Sequence, residues 1–259
     1  HKDVGQSLKE EGSSAFHLKH DFLFKAGVIP SGDQWVLWVK LHHIITDGWS
    51  LEVLLGDWAD LYLQVKAGKK PRLNAKQYSD FVYWQKDYLE SNQCLEDQKF
   101  WEKELTGMEG FALVESKTAS VAGQAASTIF RVDEALTDQL KALAQKEQLS
   151  FFALLMSAYQ LTLAQISESS TIVVGSPFSG RLEADWENIP GYFVNTLPVA
   201  SQIQVETGFL EFAKGIASKL IDIAQAQMFP LEHLKLSHSP SSWYDCGLTW
   251  QNTEETGWK

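Results

Sequence analysis

Cysteine and arginine are both scarce in this sequence, and each scarcity closes off a class of explanation. Among 259 residues there are two cysteines, Cys94 and Cys246, set far apart and without a CxxC partner. A disulfide framework is not expected, and both residues read as free thiols of a reducing, cytosolic compartment. The three arginines, Arg72, Arg131 and Arg181, form no stripe, and the one basic cluster, Lys69-Lys70 with Arg72, flanks Pro71 as a solvated loop. With a formal charge of −11, nucleic acid is not an expected partner. No apolar run reaches the roughly 18 residues that a membrane span needs. His1-Lys2-Asp3-Val4 lacks the shape of a signal peptide. The expected location is the cytoplasm, with no membrane partner.

What is present is an ordinary globular composition, 44% hydrophobic and 21% charged, in a length that suits one large domain or two medium ones. Ten tryptophans exceed what a core usually needs, so several are expected along a cleft or an interface. Residues 22–29 and 34–41 read as strands around the turn Pro30-Ser31-Gly32-Asp33. Trp35 to Leu41 looks buried for most of its length. Ser50 is placed to cap a helix whose apolar positions Leu51, Leu54, Leu55, Trp58, Leu61, Tyr62 and Val65 recur at three and four. Helices are expected from about Ala75 and from about Leu95 to Leu105. Residues 108–126 then turn rich in Ala, Ser, Gly and Thr, which reads as a linker between a first domain, 1–107, and a second, 127–259.

The second part is expected to open with a strand at Ser127–Val132, followed by helices near Asp133–Gln148 and Ser150–Gln165. The latter is apolar nearly all round and therefore central. Thr171–Gly175 reads as a buried strand, Leu197-Pro198-Val199 leads another, Gly208–Gln227 is an amphipathic helix and Leu248-Thr249-Trp250 a final strand. Alternating elements of this kind specify an α/β class.

The densest chemistry lies in His42-His43-Ile44-Ile45-Thr46-Asp47-Gly48. On a strand the two imidazoles point to opposite faces, so one faces a cleft and the other packs. Most histidines at strand ends are structural, and His42 takes that reading. Diverging histidines with no further ligand at metal spacing make a metal site unexpected. A buried Asp47 needs a cation or several donors to stay ionised. Arg181, in the glycine-flanked loop Gly175-Ser176-Pro177-Phe178-Ser179-Gly180-Arg181, is the best candidate in the chain. That pairing makes Asp47 an organiser of the loop and leaves His43 free to act. A second loop, Pro190-Gly191-Tyr192-Phe193-Val194-Asn195-Thr196, places aromatics and an amide before a strand.

HHIITDGWS matches the HHxxxDG signature and resembles the condensation domains of nonribosomal peptide synthetases, relatives of chloramphenicol acetyltransferase. Tyr78-Ser79-Asp80-Phe81-Val82-Tyr83-Trp84 resembles the family's YxDYAVW segment. Gly175–Arg181 resembles its GxPxxGR loop, and Gly191–Thr196 its GxFVNT motif. Four motifs in order, from about Phe16 to Asn252, make the resemblance specific. One departure is Ala226-Gln227-Met228-Phe229-Pro230-Leu231-Glu232, where an HQDYPFE-like segment loses its His and Asp. The family's first-strand and first-helix motifs are missing in front, as are its last strand and helix. An internal fragment, or a domain only partly represented, is the expectation.

The resemblance implies two acetyltransferase-like lobes in tandem, mixed sheets covered by helices, V-shaped with the active site between them. It implies amide formation between a carrier-bound acyl or peptidyl donor and an aminoacyl acceptor, in secondary metabolite biosynthesis. The implied partners are upstream and downstream carrier domains and an adjacent adenylation domain. No cofactor is bound by the domain itself, and both substrates arrive on 4'-phosphopantetheine. His43 is implied as the catalytic group, as a base or as a hydrogen-bonding anchor for the amine, with Gly48 offering a backbone N–H to the oxyanion. Trp49, Tyr192 and Asn195 are implied along the substrate tunnel. Cyclisation domains replace the first histidine, so the intact pair argues against them. Epimerisation by the same fold, and a scaffold that only docks carriers, stay open as alternatives.

Overall fold

The structure, a computed structural model of the chain, describes residues 4–72, 76–108, 111, 113, 126–234, 236 and 243–251. By contact, the chain forms two compact units, His1–Asp87 with Arg181–Val194, and Tyr88–Gly180 with Asn195–Lys259. This grouping differs from the boundary that composition placed at 107. Most of the expected linker, 108–126, lies outside the described residues.

The first unit begins with helix α1 (Val4–Ser13), then strands β1 (Phe24–Ser31) and β2 (Gln34–Leu41). The strands pair antiparallel from Phe24 with Leu41 to Ser31 with Gln34, which leaves a two-residue turn. Gly32 stands at φ +60 in its first position, a conformation that favours glycine there. The Lys40 ammonium ties β2 to the end of α1 through the Glu11 carbonyl at 2.7 Å and the Ser14 hydroxyl at 2.8 Å. Contrary to the burial expected of β2, Trp35 and Leu37 are exposed. A two-stranded sheet offers each strand one neighbour, and the run of aromatic and β-branched residues reports strand propensity more than burial.

Helix α2 (Gly48–Lys66) follows a short 3-10 turn at His43–Ile45, and α3 (Tyr78–Leu89) carries an aromatic row. Ser50 is the buried residue of α2. The apolar face of α2, through Leu51, Leu54 and Trp58, instead lines a cavity of about 380 Å³ with Phe24, Val39 and Tyr78.

The second unit contains α4 (Asn92–Leu105), α5 (Glu134–Lys146), α6 (Phe151–Ser167), β3 (Thr171–Phe178), β4 (Asn195–Gln202) and α7 (Phe209–Gln225). Three of its helices, α4, α5 and α6, start on side-chain caps. Ser91, Asp133 and Ser150 accept from Cys94 N, Leu136 N and Ala153 N, each cap contributing about 1 kcal/mol. The core sits where α6 packs on β3 and α7, with Ile172, Val173, Val174, Leu197 and Val199 fully enclosed. Each such side chain contributes about 1.5–3 kcal/mol through burial. Helix α4 joins this unit through Trp101, which is fully buried and donates its indole N–H to the Ala226 carbonyl at 3.0 Å. Lys219 adds an ion pair to Glu104.

Strand β3 pairs antiparallel with β4 and also holds a parallel bridge to Gly247, flanked by hydrogen bonds from Gly175 N to Cys246 O and from Leu248 N to Gly175 O, both 2.9 Å. The sheet is therefore mixed. The expected strand at Leu248–Trp250 shrinks to this one bridge. The strand expected at Ser127–Val132 is absent, and Ile129 and Phe130 stand exposed there. A strand needs a partner for its backbone groups, and propensity alone does not supply one.

Candidate active site

The histidine pair is positioned by a turn, not by the strand its sequence suggests. Strand β2 ends at Leu41, and His42 N still bonds the Leu23 carbonyl at 2.9 Å. His42 then caps the 3-10 turn. Its Nδ1 accepts from Ile44 N at 3.0 Å. Its ring meets Phe16 edge to face, centroids 6.1 Å apart. His43 is the first residue of the turn and is exposed, with its ring edge to face against Tyr192 at 5.6 Å and 73°. The two rings meet different partners, and they do so from a turn.

Asp47, rather than Ser50, is the N-cap of α2: its Oδ1 accepts from Ser50 N at 2.8 Å. The same carboxylate accepts from the Ser50 hydroxyl (2.7 Å), from Phe193 N (3.1 Å) and from Arg181 Nη2 (3.1 and 3.3 Å). Both side chains of the ion pair are almost wholly enclosed, 1% exposed for Asp47 and 2% for Arg181. Arg181 also donates to the carbonyls of Ile189 (2.8 Å) and Trp186, and its guanidinium lies 4.0 Å from the Phe193 ring centre. Burial pushes the Asp47 carboxyl up. The hydrogen bonds from Ser50 and Phe193, together with the Arg181 charge, outweigh it and hold the group below its ordinary range. A carboxylate with this many donors stays ionised and has little capacity left to carry a proton.

Ser50 completes the arrangement. Its buried hydroxyl accepts from Gly191 N (2.9 Å) and Arg181 Nη2 (3.0 Å) and lies 2.6 Å from the Gly191 carbonyl. Gly191 is also the residue that close packing demands, since a Cβ there would sit 2.1 Å from Tyr78 Cδ2. The Tyr78 hydroxyl donates to the Tyr192 carbonyl. Burial, then the nearby Asp47 charge, pushes that phenol up. Beneath the loop Tyr78, Phe81 and Trp84 of α3 pack against Trp186 and Phe193, with ring centroids 4.5–5.2 Å apart for Tyr78–Phe193, Phe81–Phe193, Phe81–Trp186 and Trp84–Trp186.

Of the residues singled out from sequence, His43, Asp47, Gly48, Trp49, Arg181 and Tyr192 share one unit with His42. Gly48 is exposed at the first helical position, where its N–H has no intrahelical acceptor, and open space lies where its side chain would be. Trp49 donates its indole N–H to the Glu187 carbonyl at 2.8 Å. Asn195 belongs to the other unit, and its amide is engaged there by the carbonyls of Gln227 (2.9 Å) and Phe229 (3.5 Å). Its donor holds the 227–229 turn. The departing segment 226–232 is equally structural: Gln227 Oε1 accepts from Gly180 N at 2.9 Å. Sequence reasoning missed Ser50 as a clamp and Tyr78 as a loop anchor. The spacing Asp47-x-x-Ser50, which puts a hydroxyl in the first turn beside the capping carboxylate, was the available signal.

The chain matches the condensation-domain family over residues 1–251. It is 31% identical over 260 residues to tyrocidine synthase 3 of Brevibacillus parabrevis, covering 93% of this chain and 4% of that protein. Among solved structures, the X-domain from teicoplanin biosynthesis superposes with a TM-score of 0.83 at 22% identity, over 95% of this chain and 58% of the other. VibH, a condensation enzyme of nonribosomal peptide synthesis, superposes with a TM-score of 0.73 at 19% identity, over 88% and 54%. The chain thus spans little more than half of those structures and a small part of the synthase, and its α/β fold is that of the two structures. With the family match covering nearly its whole length, the chain belongs to the condensation-domain family.

Proposed function

We propose that the protein containing this chain forms amide bonds between a carrier-bound acyl or peptidyl donor and a carrier-bound aminoacyl acceptor. What supports this reading is an exposed His43 and an exposed Gly48 at the start of α2, flanking in sequence the enclosed, ionised Asp47. The nitrogen of the acceptor attacks the thioester carbonyl carbon, the C–N bond forms, and collapse of the tetrahedral adduct breaks the C–S bond. His43 accepts the proton shed by the attacking nitrogen, which ends on the departing thiolate, or anchors the amine by a hydrogen bond. The Gly48 N–H faces the developing oxyanion. A thioester is already activated, so positioning supplies much of the rate. Both substrates would be presented on 4'-phosphopantetheine by neighbouring carrier domains, beside an adenylation domain. The His43→Ala variant of the full synthetase is expected to lose amide product while its circular dichroism is unchanged. Undiminished product would refute the role of His43.

A second reading is a docking module without chemistry, favoured by the superposition on the teicoplanin X-domain, which has also been solved in complex with OxyB. Intact mass spectrometry of carrier-bound thioesters, combined with chiral chromatography of the released acyl groups, separates the readings. Joined masses mean condensation, and unchanged masses with an inverted stereocentre mean epimerisation. Unchanged masses and stereochemistry mean docking alone.

A further inference from the structure

Tyr192 is an exposed aromatic ring, 39% accessible, between two buried residues, Gly191 and Phe193. Its backbone is pinned from both sides. Ser50 engages the N–H and the carbonyl of Gly191, Tyr78 takes the Tyr192 carbonyl, and Asp47 takes Phe193 N. A tyrosine ordered in this way stands out from the core at little further entropic cost, because few torsions remain to be fixed. What the ring faces is His43, edge on, with centroids 5.6 Å apart.

We infer that Tyr192 is a specificity-determining residue that walls the space beside His43 and limits the bulk of the acceptor's side chain. The inference rests on the amide-forming reading above. An amine hydrogen-bonded to His43 lies about 3 Å from an imidazole nitrogen. Its α-carbon is about 1.5 Å further on, and the first side-chain atom one bond beyond that. That reach, about 6 Å, is comparable with the 5.6 Å between the His43 and Tyr192 ring centres. The donor begins farther away, since its carbonyl carbon lies about 3–3.5 Å beyond the amine before its own substituents start.

The test compares Tyr192→Ala, Tyr192→Phe and unsubstituted protein within the full synthetase. One donor is offered to carriers loaded with alanyl or with tryptophanyl acceptor. Tyr192→Ala is expected to raise the kcat/KM ratio of tryptophanyl over alanyl about tenfold or more, as pocket steps of a few methylenes do. Tyr192→Phe, which keeps the ring, is expected to hold the ratio within about twofold. A ratio unmoved by Tyr192→Ala, including equal loss of both acceptors, overturns the inference. So does a shift that follows donor bulk instead. No amide from the unsubstituted protein overturns the amide-forming reading itself, whereas amide with an unmoved ratio overturns this inference alone.

Discussion

Replacing Arg181 with methionine keeps most of the side-chain volume and removes the cation bonded to Asp47 among the described residues. Four groups then lose a donor: the Asp47 carboxylate, at both oxygens, the Ser50 hydroxyl, and the carbonyls of Ile189 and Trp186. The Trp186 carbonyl retains the Ile189 N–H at 3.2 Å. Asp47 would stay enclosed with donors from Ser50 and Phe193 but no opposing charge. Breaking a buried pair from one side costs about 3–5 kcal/mol, because the remaining charge is stranded. In an Asp47→Asn background no carboxylate is stranded. The same substitution should then cost only about 1–2 kcal/mol, for the Ile189 carbonyl and the contact with Phe193. The pair should therefore couple by about 2–3 kcal/mol, near the upper end for neighbouring residues. Equilibrium urea denaturation of the four proteins, followed by circular dichroism, measures the cycle. An Arg181→Met loss below about 1 kcal/mol, or an equal loss in both backgrounds, would refute the claim that the ion pair organises the loop.

Ser50→Ala leaves the enclosed Gly191 N–H without its acceptor and takes a donor from Asp47, so it should lose about 1–3 kcal/mol in the same denaturation assay. Acid should act through Asp47. Its folded pKa lies below the unfolded value of 3.8, so its contribution is fully present well above that pH. The contribution is lost as pH falls through the folded value. The acid limb of a stability-against-pH curve is accordingly expected to be shallower in Asp47→Asn than in the unsubstituted chain, and parallel limbs would contradict this.

Much of the fold was legible because its signals are local. The helices at 78–89, 92–105, 134–146, 151–167 and 209–225 announce themselves by spacing and caps, and the hairpin by a glycine that tolerates positive φ. What stayed illegible depends on partners distant in sequence. Ser127–Val132 has the composition of a strand but no ladder in which to spend its backbone groups. Trp35 and Leu37 have the composition of a core and are exposed. Composition marked 108–126 as a divide, yet α4 joins the second unit through Trp101 and Glu104, contacts with partners more than a hundred residues away. Residues 181–194 return to the first unit because Arg181, Gly191 and Phe193 carry bonds that Asp47 and Ser50 need.

The same contrast explains which site residues could be named in advance. Pairing Asp47 with Arg181 followed from charge physics and loop position: a buried carboxylate needs a cation or several donors, and Arg181, one of three arginines, stands in a glycine-flanked loop. Ser50 could not be weighed that way, because a serine near a helix start is ordinarily a cap. Here the cap is Asp47, and that frees the hydroxyl to reach Gly191 across 141 positions. Asn195 is bonded elsewhere. Its motif neighbours Tyr192 and Phe193 sit with His43 and Asp47, but the division between units falls after Val194, and its amide closes a turn in the other unit. In GYFVNT, Phe193 is buried against Arg181 while Tyr192 is exposed against His43, so of the two rings Tyr192 is the one placed to meet a substrate.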